Sequence, residues 1–297
     1  MDEIAIINTV KQLTGSEFIG DDCAYLSELG IVVTQDSLVE NVHFKRGWCT
    51  PYQLGFKSIA VNISDILASG AEPKYITIAL SLPNNVSQNF VKEFYYGANS
   101  ALNGAKIIGG DITGSNNDIM ISVCAIGICK NRNISSRKNA NVGYSVVTHG
   151  LYGSSAIGLK ALMDGDIDNK FIKSHLEPNL CPNFSKYIAT NVSEPYAMMD
   201  TSDGLADALY KIADASGVKL VINYDKIPCN KQANREQVLF GGEDYNLLAV
   251  VPTNYINLIP NAIEIGYADK FDGTLLDISG EKYNKYSQLK VYNHFGE

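Results

Sequence analysis

The sequence predicts an α/β (α+β) protein with two domains, and three observations support this prediction. The chain has 297 residues, which is long for one domain and comfortable for two. Strand-like apolar runs alternate with helical patterns in both halves of the chain. A polar stretch with little periodicity, KNRNISSRKNANVG at 130–143, is the best candidate for a domain junction. We therefore expect an N-terminal domain over 1–137 and a C-terminal domain over 138–297.

The elements of the first half are predicted from local signals. The N-terminal MDEIAIINTVKQL has apolar residues at near-helical spacing and predicts a short amphipathic helix. Thr50 and Pro51 are typical of an N-cap and a first helical residue, and this helix is expected to end at Gly70. A further helix is expected within 87–103. Strands are predicted at 30–38, 75–83, 105–114 and 118–129.

The second half continues this alternation of strands and helices. YSVVTHG predicts a strand, and the Gly/Ser loop that follows leads into a helix over 154–164. Another helix is predicted over 205–216, with Gly217 as its C-terminal cap. KLVINY, YNLLAVV and AIEIGY predict three more strands.

The composition excludes several classes of function. The net charge of −8 and the pI near 5.1 argue against general nucleic-acid binding, because a phosphate backbone needs a basic surface. No apolar run approaches the roughly 18–20 residues that cross a bilayer. The N-terminus is acidic where a signal peptide would be basic. We therefore expect a cytoplasmic protein without nucleic-acid or membrane partners.

The six cysteines give no sign of a metal site or a disulfide framework. None form a CxxC pair or stand beside a histidine in the sequence, so zinc binding is poorly supported. Their scatter favours reduced and mostly buried thiols.

Carboxylates recur where strands or helices meet turns, and several of them are flanked by glycine. Aspartate oxygens suit Mg²⁺, which takes one or two carboxylates and completes its shell with water and phosphates. Any single one of these residues is better explained as a helix N-cap or a turn residue. Their number favours a shared cation site, because like charges converge only when cations neutralise them. The residues are Asp21, Asp22, Asp36, Asp65, Asp111, Asp200, Asp203, Glu243 and Asp244.

Two of these acidic segments allow sharper expectations. Asp21 and Asp22 would point in opposite directions in an extended chain, so at most one of them should join a shared site. Asp65 belongs to a narrow polar stripe on an otherwise apolar helix, which indicates a lined cavity, although a solvent-exposed stripe fits the pattern nearly as well. In MMDTSDGLADAL, we expect Asp207 to be a surface charge near a helix N-terminus.

Three other features have a functional and a plain structural interpretation. HGLYGSSAIG at 149–158 is a weak candidate for a phosphate cradle, since it lacks the ending of a Walker loop. Arg137 is either a solvated arginine or a phosphate clamp. His43 is either a ligand contact or a structural histidine with satisfied hydrogen bonds.

Several segments together resemble the thiamine-monophosphate kinase family, in order and over nearly the whole chain. They are IGDDCAYL, TQDSLVENVHF, KSIAVNISDILASGAEP, IIGGDIT, MDTSDGLADAL, GGEDYNLL and the terminal YNHF. The resemblance implies an aminoimidazole ribonucleotide synthetase-like fold, with an N-terminal mixed-sheet domain and a C-terminal α/β domain. It also implies ATP and several Mg²⁺ ions in the cleft between the domains, and a homodimer formed through the N-terminal domains.

The resemblance also implies roles for individual residues. The metal ligands would be Asp22, Thr34, Gln35, Asp36, Asp65, Asp111, Asp200 and Asp203. Contacts to ATP would come from Gly110, Asp111, Arg137 and Ser202. Thiamine monophosphate would contact His43, Glu243 and Tyr292. The sequence departs from the family at Gln35, where threonine is usual, so that a backbone contact replaces the side-chain contact there.

The implied reaction moves the γ-phosphoryl group of ATP to thiamine monophosphate. The acceptor is an ionised phosphate oxygen, so no catalytic general base is expected, and positioning and charge neutralisation remain. Two alternatives stay open: another ATP-dependent member of the superfamily, similar to aminoimidazole ribonucleotide synthetase, or a non-catalytic nucleotide-binding protein.

Overall fold

The first of two β-sheets is built by the first half of the chain. The computed structural model describes residues 3–292. Five strands lie in the order β1-β2-β5-β3-β4, and only the β3–β4 pair is parallel. Their bounds are β1 Ala24–Leu26, β2 Ile31–Val39, β3 Glu72–Pro83, β4 Lys106–Ser115 and β5 Met120–Ile128.

Three helices belong to the same half of the chain as this sheet, and the second of them contacts elements of both halves. They are α1 Glu3–Thr14, α2 Pro51–Ala68 and α3 Gln88–Ser100. Helix α2 begins as the sequence predicts: the Thr50 side chain accepts a hydrogen bond from the Gln53 backbone, and the Gln53 side chain caps Thr50 in return. Alternate residues of β2, β3 and β5, such as Val32, Ile78 and Val123, are buried.

The second sheet has seven strands and belongs to the second half of the chain. The strand order is β12-β11-β8-β10-β6-β9-β7, and only the β11–β8 pair is parallel. The strands are β6 Ser145–Thr148, β7 Ala197–Asp200, β8 Val218–Ile222, β9 Leu247–Val251, β10 Ile263–Lys270, β11 Leu276–Ile278 and β12 Glu281–Tyr283. The helices are α4 Ser154–Asp164, α5 Ile172–Leu176, α6 Pro182–Asn191, α7 Leu205–Ser216 and α8 Arg235–Phe240.

Helix α2 packs against elements of both halves, and one core cluster therefore runs across them. Ile63 and Ile66 of α2 share this cluster with Phe184 of α6 and with Met198 and Leu247 of the second sheet. A helix that is buried on most of its faces carries apolar residues all round, as the sequence of α2 does. Polar residues at the C-terminal half of α2 consequently face the junction between the sheets.

Most of the predicted elements are confirmed. Helices α2, α3, α4 and α7 and the predicted strands are present, and Gly217 caps α7 in the left-handed conformation with φ 65°. The apolar side chains of α1, such as Val10 and Leu13, are exposed. Within residues 3–292 no helix is both long enough and apolar enough to cross a membrane. The sequence analysis did not identify α5, α6, α8 or the short strands β1, β7, β11 and β12.

Candidate active site

Three carboxylates from distant parts of the chain meet where α2 faces the second sheet. Asp22 lies just before β1, Asp65 lies in the last turns of α2, and Asp200 ends β7. One oxygen of each lies within 4.8 Å of one oxygen of the others. We call these three residues the acidic cluster. The stripe that contains Asp65 is buried, since Ser58 and Asn62 are 1% and 0% exposed, so the solvent-exposed interpretation is wrong.

Neighbouring side chains hold each carboxylate of the acidic cluster in place. Thr34 Oγ1 donates to Asp65 Oδ2 over 2.7 Å, and Ser64 Oγ donates to Asp200 Oδ2 over 2.6 Å. Arg137 Nη2 donates to Asp22 Oδ1 over 3.0 Å. These bonds leave other carboxylate oxygens available, as an ion site requires.

Burial and mutual repulsion disfavour the charged forms of Asp65, Asp200 and the neighbouring Asp36. Burial, with Asp22 as the next cause, raises the pKa of Asp200 to about 7. Burial, followed by Asp36 and Asp200, raises the pKa of Asp65 well above its usual range. Burial, followed by Asp203 and Asp22, raises the pKa of Asp36 to about 6. Such a group of oxygens attracts a hard divalent cation.

Asp21 and Arg137 tie the acidic cluster to the start of the second half. Asp21 accepts hydrogen bonds from Ser136 Oγ at 2.8 Å and from the Arg137 backbone at 2.7 Å, while Asp22 joins the acidic cluster. The prediction that only one of the two aspartates reaches the site is confirmed. Arg137 is not a solvated arginine: burial opposes its charge, but Asp22 and Asp21 outweigh burial and raise the pKa of its guanidinium.

Asp36 lies beside this site on β2, whereas the side chain of Gln35 does not. The Asp36 backbone N–H donates to Asn62 Oδ1 over 3.1 Å, which fixes β2 against α2. The Gln35 amide donates to Ser122 Oγ over 3.0 Å across the other face of the sheet. Successive residues of a strand face opposite ways, so the side chain of Gln35 turns away from Thr34 and Asp36. The side chain of Gln35 therefore points away from this site, and the expected metal contact through its backbone stays a prediction.

Asp111 and Gly110 are not brought to the acidic cluster within one chain. Gly110 stands in the same row of the sheet as Asp36, but three strand spacings away, or about 14 Å. Asp111 pairs with Ala79, and Ala79 pairs with Ser122 on the face that is turned away from α2. Directly paired residues share a face, so the side chain of Asp111 lies opposite to that of Asp36. An Asp111 side chain could therefore reach this site only from a second copy of the chain.

The segment MMDTSDGLADAL is a strand end followed by a helix. Gly204 occupies the N-cap of α7 with φ 111° and without a side-chain cap, so Asp200 and Asp203 do not cap this helix. Asp200 instead accepts a hydrogen bond from the Ser202 backbone at 3.3 Å. Asp203 is partly exposed and pairs with Lys211 at 3.1 Å.

Asp207 is not the surface charge that the sequence suggests. Its side chain is 1% exposed and pairs with Lys211 at 2.8 Å. Tyr286 donates a hydrogen bond of 2.6 Å to the same carboxylate. Burial raises the pKa of Asp207, and Lys211 opposes the shift. The partner Tyr286 comes 79 residues later in the chain, and no local pattern indicates it.

A pocket lies between the start of α2, the preceding loop and α5. His43, Phe44, Trp48, Lys57 and His175 line it. The Nδ1 atom of His43 accepts a hydrogen bond of 3.0 Å from the Val39 backbone, which fixes its ring. The pocket has aromatic walls and a basic end, and its free volume of about 10 Å³ has room for no more than one water molecule in this structure.

The basic end of the pocket contains a network that sequence reasoning missed. Lys57 Nζ donates to Glu243 Oε2 over 2.7 Å, and His175 Nδ1 lies 3.0 Å from the same oxygen. His175 Nε2 is 3.4 Å from Lys57 Nζ. Lys57 and His175 are 3% exposed each. We call these three residues the Lys57–Glu243–His175 triad. Lys57 and His175 precede Glu243 by 186 and 68 residues, respectively, so no sequence motif joins the three.

Asp244, next to Glu243, has a structural role. Its carboxylate accepts hydrogen bonds from the backbones of Gly153 at 2.6 Å and Ser155 at 2.9 Å, at the N-terminus of α4. These are the donors that a phosphate would need in HGLYGSSAIG. The chain's own carboxylate therefore occupies this position, and the phosphate-cradle interpretation is wrong.

Two further predicted contacts are Ser202 and Tyr292. Ser202 follows Asp200 in the loop before α7, and its carbonyl accepts a hydrogen bond of 2.6 Å from the Glu243 backbone. Tyr292 is 62% exposed at the end of the described chain. The HF pair that follows it lies outside the described residues.

Comparisons with known proteins agree with this architecture. The family model "AIR synthase related protein, N-terminal domain" matches residues 20–129. Thiamine-monophosphate kinases of Aquifex aeolicus and Bacillus subtilis are 34% and 30% identical; each alignment covers 99% of this chain and 98% or 100% of the relative, respectively. The solved structure "AaThiL complexed with AMPPCP and TMP" superimposes with a TM-score of 0.88 at 32% identity, over 99% of this chain and 97% of that one.

The two sheets, the helix between them and the matched N-terminal region define an AIR synthase related protein. The full-length identity is more specific than the fold. The chain belongs to the thiamine-monophosphate kinase family.

Proposed function

We propose that this chain is a Mg²⁺-dependent kinase that converts thiamine monophosphate and ATP into thiamine diphosphate and ADP. The observation that carries the proposal is the acidic cluster, whose three oxygens lie within 4.8 Å of one another. The family supports the choice of substrates, since AaThiL was solved with AMPPCP and TMP.

The residues of the site fit magnesium. Asp22, Asp65 and Asp200 supply hard oxygen donors, and the raised pKa values of Asp65 and Asp200 indicate negative charge without enough compensation. These three residues would hold the ions, with further oxygens from Asp36, Asp203, Thr34 and the backbone of Gln35. When bound, Mg²⁺ would neutralise the phosphate groups of both substrates.

The proposed reaction needs no proton-abstracting residue. An ionised phosphate oxygen of thiamine monophosphate bonds to the γ-phosphorus of ATP, the bond to the bridging oxygen breaks, and its electron pair leaves with ADP. Arg137 holds the Asp22 carboxylate in position through its hydrogen bond of 3.0 Å, and the family resemblance would make Arg137 and Ser202 contacts of the nucleotide. His43 and Glu243 belong to the pocket side of the site, where the thiamine part would bind.

We further propose a cytoplasmic homodimer with domains over 1–137 and 138–297. The six cysteines are free, which is usual in a reducing compartment. The face of the first sheet opposite α2 carries no described helix, and exposed apolar side chains such as Tyr75 and Met120 lie on β3 and β5. A second copy of the chain would cover such a face.

The proposal is tested by incubating the protein with ATP, Mg²⁺ and thiamine monophosphate. We expect thiamine diphosphate and ADP in equal amounts, and no product when EDTA removes the metal. ATP binding without any product would instead identify a non-catalytic nucleotide-binding protein. Consumption of ATP only with a different acceptor would identify another member of the superfamily.

A further inference from the structure

The Lys57–Glu243–His175 triad brings three charged or titratable side chains from separate elements to one carboxylate oxygen. Lys57 comes from α2, His175 from α5, and Glu243 from the loop before β9. The ion pair of 2.7 Å and the histidine contact of 3.0 Å both end at Glu243 Oε2. A buried lysine costs free energy unless a partner compensates its charge, so this arrangement constrains all three residues.

The protonation of the triad follows from its contacts. Burial, followed by Lys57, lowers the pKa of His175, so the imidazole is neutral near pH 7. Nδ1 lies within reach of Glu243 Oε2 and Ser155 Oγ, and Nε2 lies beside Lys57 Nζ. The hydrogen-bond network therefore assigns the proton to Nδ1, which donates to Glu243, while Nε2 accepts from Lys57.

The backbone of Glu243 is also fixed. Glu243 has φ 64°, a conformation that a side-chain-bearing residue adopts only when its surroundings stabilise it. Its N–H donates to the Ser202 carbonyl over 2.6 Å, which joins this loop to the loop after Asp200. Because both described side-chain donors use Oε2, the other oxygen, Oε1, can accept a hydrogen bond from a ligand.

We propose that Lys57 and His175 are positioning residues that hold Glu243 as a fixed, ionised acceptor for the thiamine part of the substrate. This inference rests on the proposed function and adds two residues to it. Both positioning residues line the pocket, together with Phe44 and Trp48. Oε1 of Glu243 would accept an N–H from the substrate or contact its cationic ring.

Four titratable groups surround the Glu243 carboxylate. They are Lys57 and His175, which lower its pKa, and Asp244 and Tyr245 in its own loop. Burial alone would raise the pKa of Glu243, but Lys57 and His175 outweigh burial and lower it below its usual range. If Lys57 is removed, burial dominates, and Glu243 takes up a proton at a higher pH than before.

The single tryptophan of the chain, Trp48, lines the same pocket as Lys57 and His175, so its fluorescence serves as a probe of binding near these residues. We would titrate thiamine monophosphate against Trp48 fluorescence in wild type, Lys57→Met, His175→Leu and His175→Asn. Asparagine keeps an N–H donor near the position of Nδ1, and leucine does not. Lys186→Met, at an exposed lysine on α6, is the matched control.

We expect Lys57→Met and His175→Leu to weaken binding of thiamine monophosphate by about 10- to 100-fold, since each removes a hydrogen bond to a charged group. His175→Asn and Lys186→Met should bind within about twofold of wild type, and the KM for ATP should change little in all four. The ratio of the Kd of Lys57→Met to that of wild type should grow as pH falls from 8 to 5.5. The substrate's own titration cancels in this ratio.

A double-mutant cycle separates positioning from a merely structural role. In a Glu243→Gln background, Lys57→Met should weaken binding no further, because Lys57 acts through Glu243. Thermal unfolding checks the fold of every variant. If Lys57→Met does not fold, the comparison of His175→Leu with His175→Asn still tests the proposal.

Two different failures are distinguishable in this experiment. If wild type produces thiamine diphosphate and binds its substrate, but Lys57→Met and His175→Leu bind it equally well, the positioning role is overturned and the kinase activity stands. If wild type neither binds nor phosphorylates thiamine monophosphate, the proposed function fails and this inference fails with it.

Discussion

Among single residues, Asp65 has the most connections in the site. It accepts a hydrogen bond from Thr34, and it belongs to the acidic cluster with Asp22 and Asp200. We predict that Asp65→Asn lowers kcat by at least about 100-fold, because an amide does not replace a charged metal ligand. Steady-state kinetics at saturating Mg²⁺ would measure this loss, and circular dichroism would check the fold. Asp225→Asn, at an exposed aspartate, is the control; near-normal turnover of Asp65→Asn would contradict the metal role.

The acidic cluster also predicts how stability depends on pH and magnesium. The pKa of Asp200 is about 7 in the folded protein and roughly 3.9 in an unfolded chain. Between these values the native state holds more protons than the unfolded state, so the free energy of unfolding falls as pH rises. We expect the Tm of the metal-free protein to fall by several degrees between pH 5 and pH 8. Mg²⁺ should restore it at pH 8 and change it little at pH 5.

The matched variant for this prediction is Asp200→Asn. It removes one of the repelling carboxylates, so its metal-free Tm should vary less with pH and respond less to Mg²⁺. Differential scanning fluorimetry with EDTA or MgCl₂ measures both effects. A Mg²⁺ shift in Tm that is equal at pH 5 and pH 8 would show that these carboxylates do not form the metal site.

The role of a residue could be predicted from the sequence where the residue stands in a local motif. Asp22, Asp65 and Asp200 stand in motifs whose order along the chain gives the resemblance, and the structure brings these three together. Asp207 and Lys57 stand in the same motifs, but their partners, Tyr286 and Glu243, are 79 and 186 residues away. Burial and pairing of this kind depend on tertiary packing, and one sequence does not reveal them.

Among the elements, α2 carries both sides of the site, Asp65 near its end and Lys57 near its middle. Two glycines hold α2 against α3 at close range. A Cβ atom on Gly55 would lie 1.9 Å from the Phe94 carbonyl oxygen, and one on Gly97 would lie 1.8 Å from that of Tyr52. Such reciprocal contacts allow only glycine, because the obstructing atoms belong to the backbone.

We predict that Gly55→Ala lowers the free energy of unfolding by about 1–3 kcal/mol or more, since the two helices must move apart. Urea denaturation would measure the loss. Gly114→Ala is the control, because a Cβ atom there meets nothing within 4 Å. Equal stability of the two variants would show that α3 moves away from α2 without cost.

The elements differ in how well the sequence predicts them. The start of α2 is encoded locally by Thr50, Pro51 and Gln53, and its bounds were predicted within about two residues. Strand β7 has only four residues, Ala197–Asp200, and all of them are buried, so no alternation marks it. Short elements of this kind form because neighbouring strands and helices complete them.

At the scale of the whole molecule, the position of Asp111 bears on whether two copies of the chain complete one site. Asp111 lies on the face of the first sheet opposite Asp36, although the resemblance makes both of them metal ligands. Exposed apolar side chains on the same face of this sheet, including Tyr75 of β3 and Met120 of β5, favour a second copy against it. A dimer of this kind would allow Asp111 of one chain to serve the acidic cluster of the other.

Mixing two inactive variants tests this arrangement directly. Asp65→Asn and Asp111→Asn should each be inactive as pure dimers, and co-refolding them in equal amounts should give half mixed dimers. If Asp111 acts across the interface, each mixed dimer contains one site with both wild-type residues. Activity should then return to about a quarter of the wild-type value, because half of the dimers have half of their sites intact.

The alternatives give different activities in the same assay. If Asp111 acts within its own chain, each site of a mixed dimer lacks one ligand, and the mixture stays inactive. If Asp111 is not a ligand, the pure Asp111→Asn dimer already turns over normally. Size-exclusion chromatography with light scattering would establish the dimer independently, and a monomer would exclude transfer of Asp111 between chains. Recovery to about a quarter therefore requires both the dimer and a site that two chains complete together.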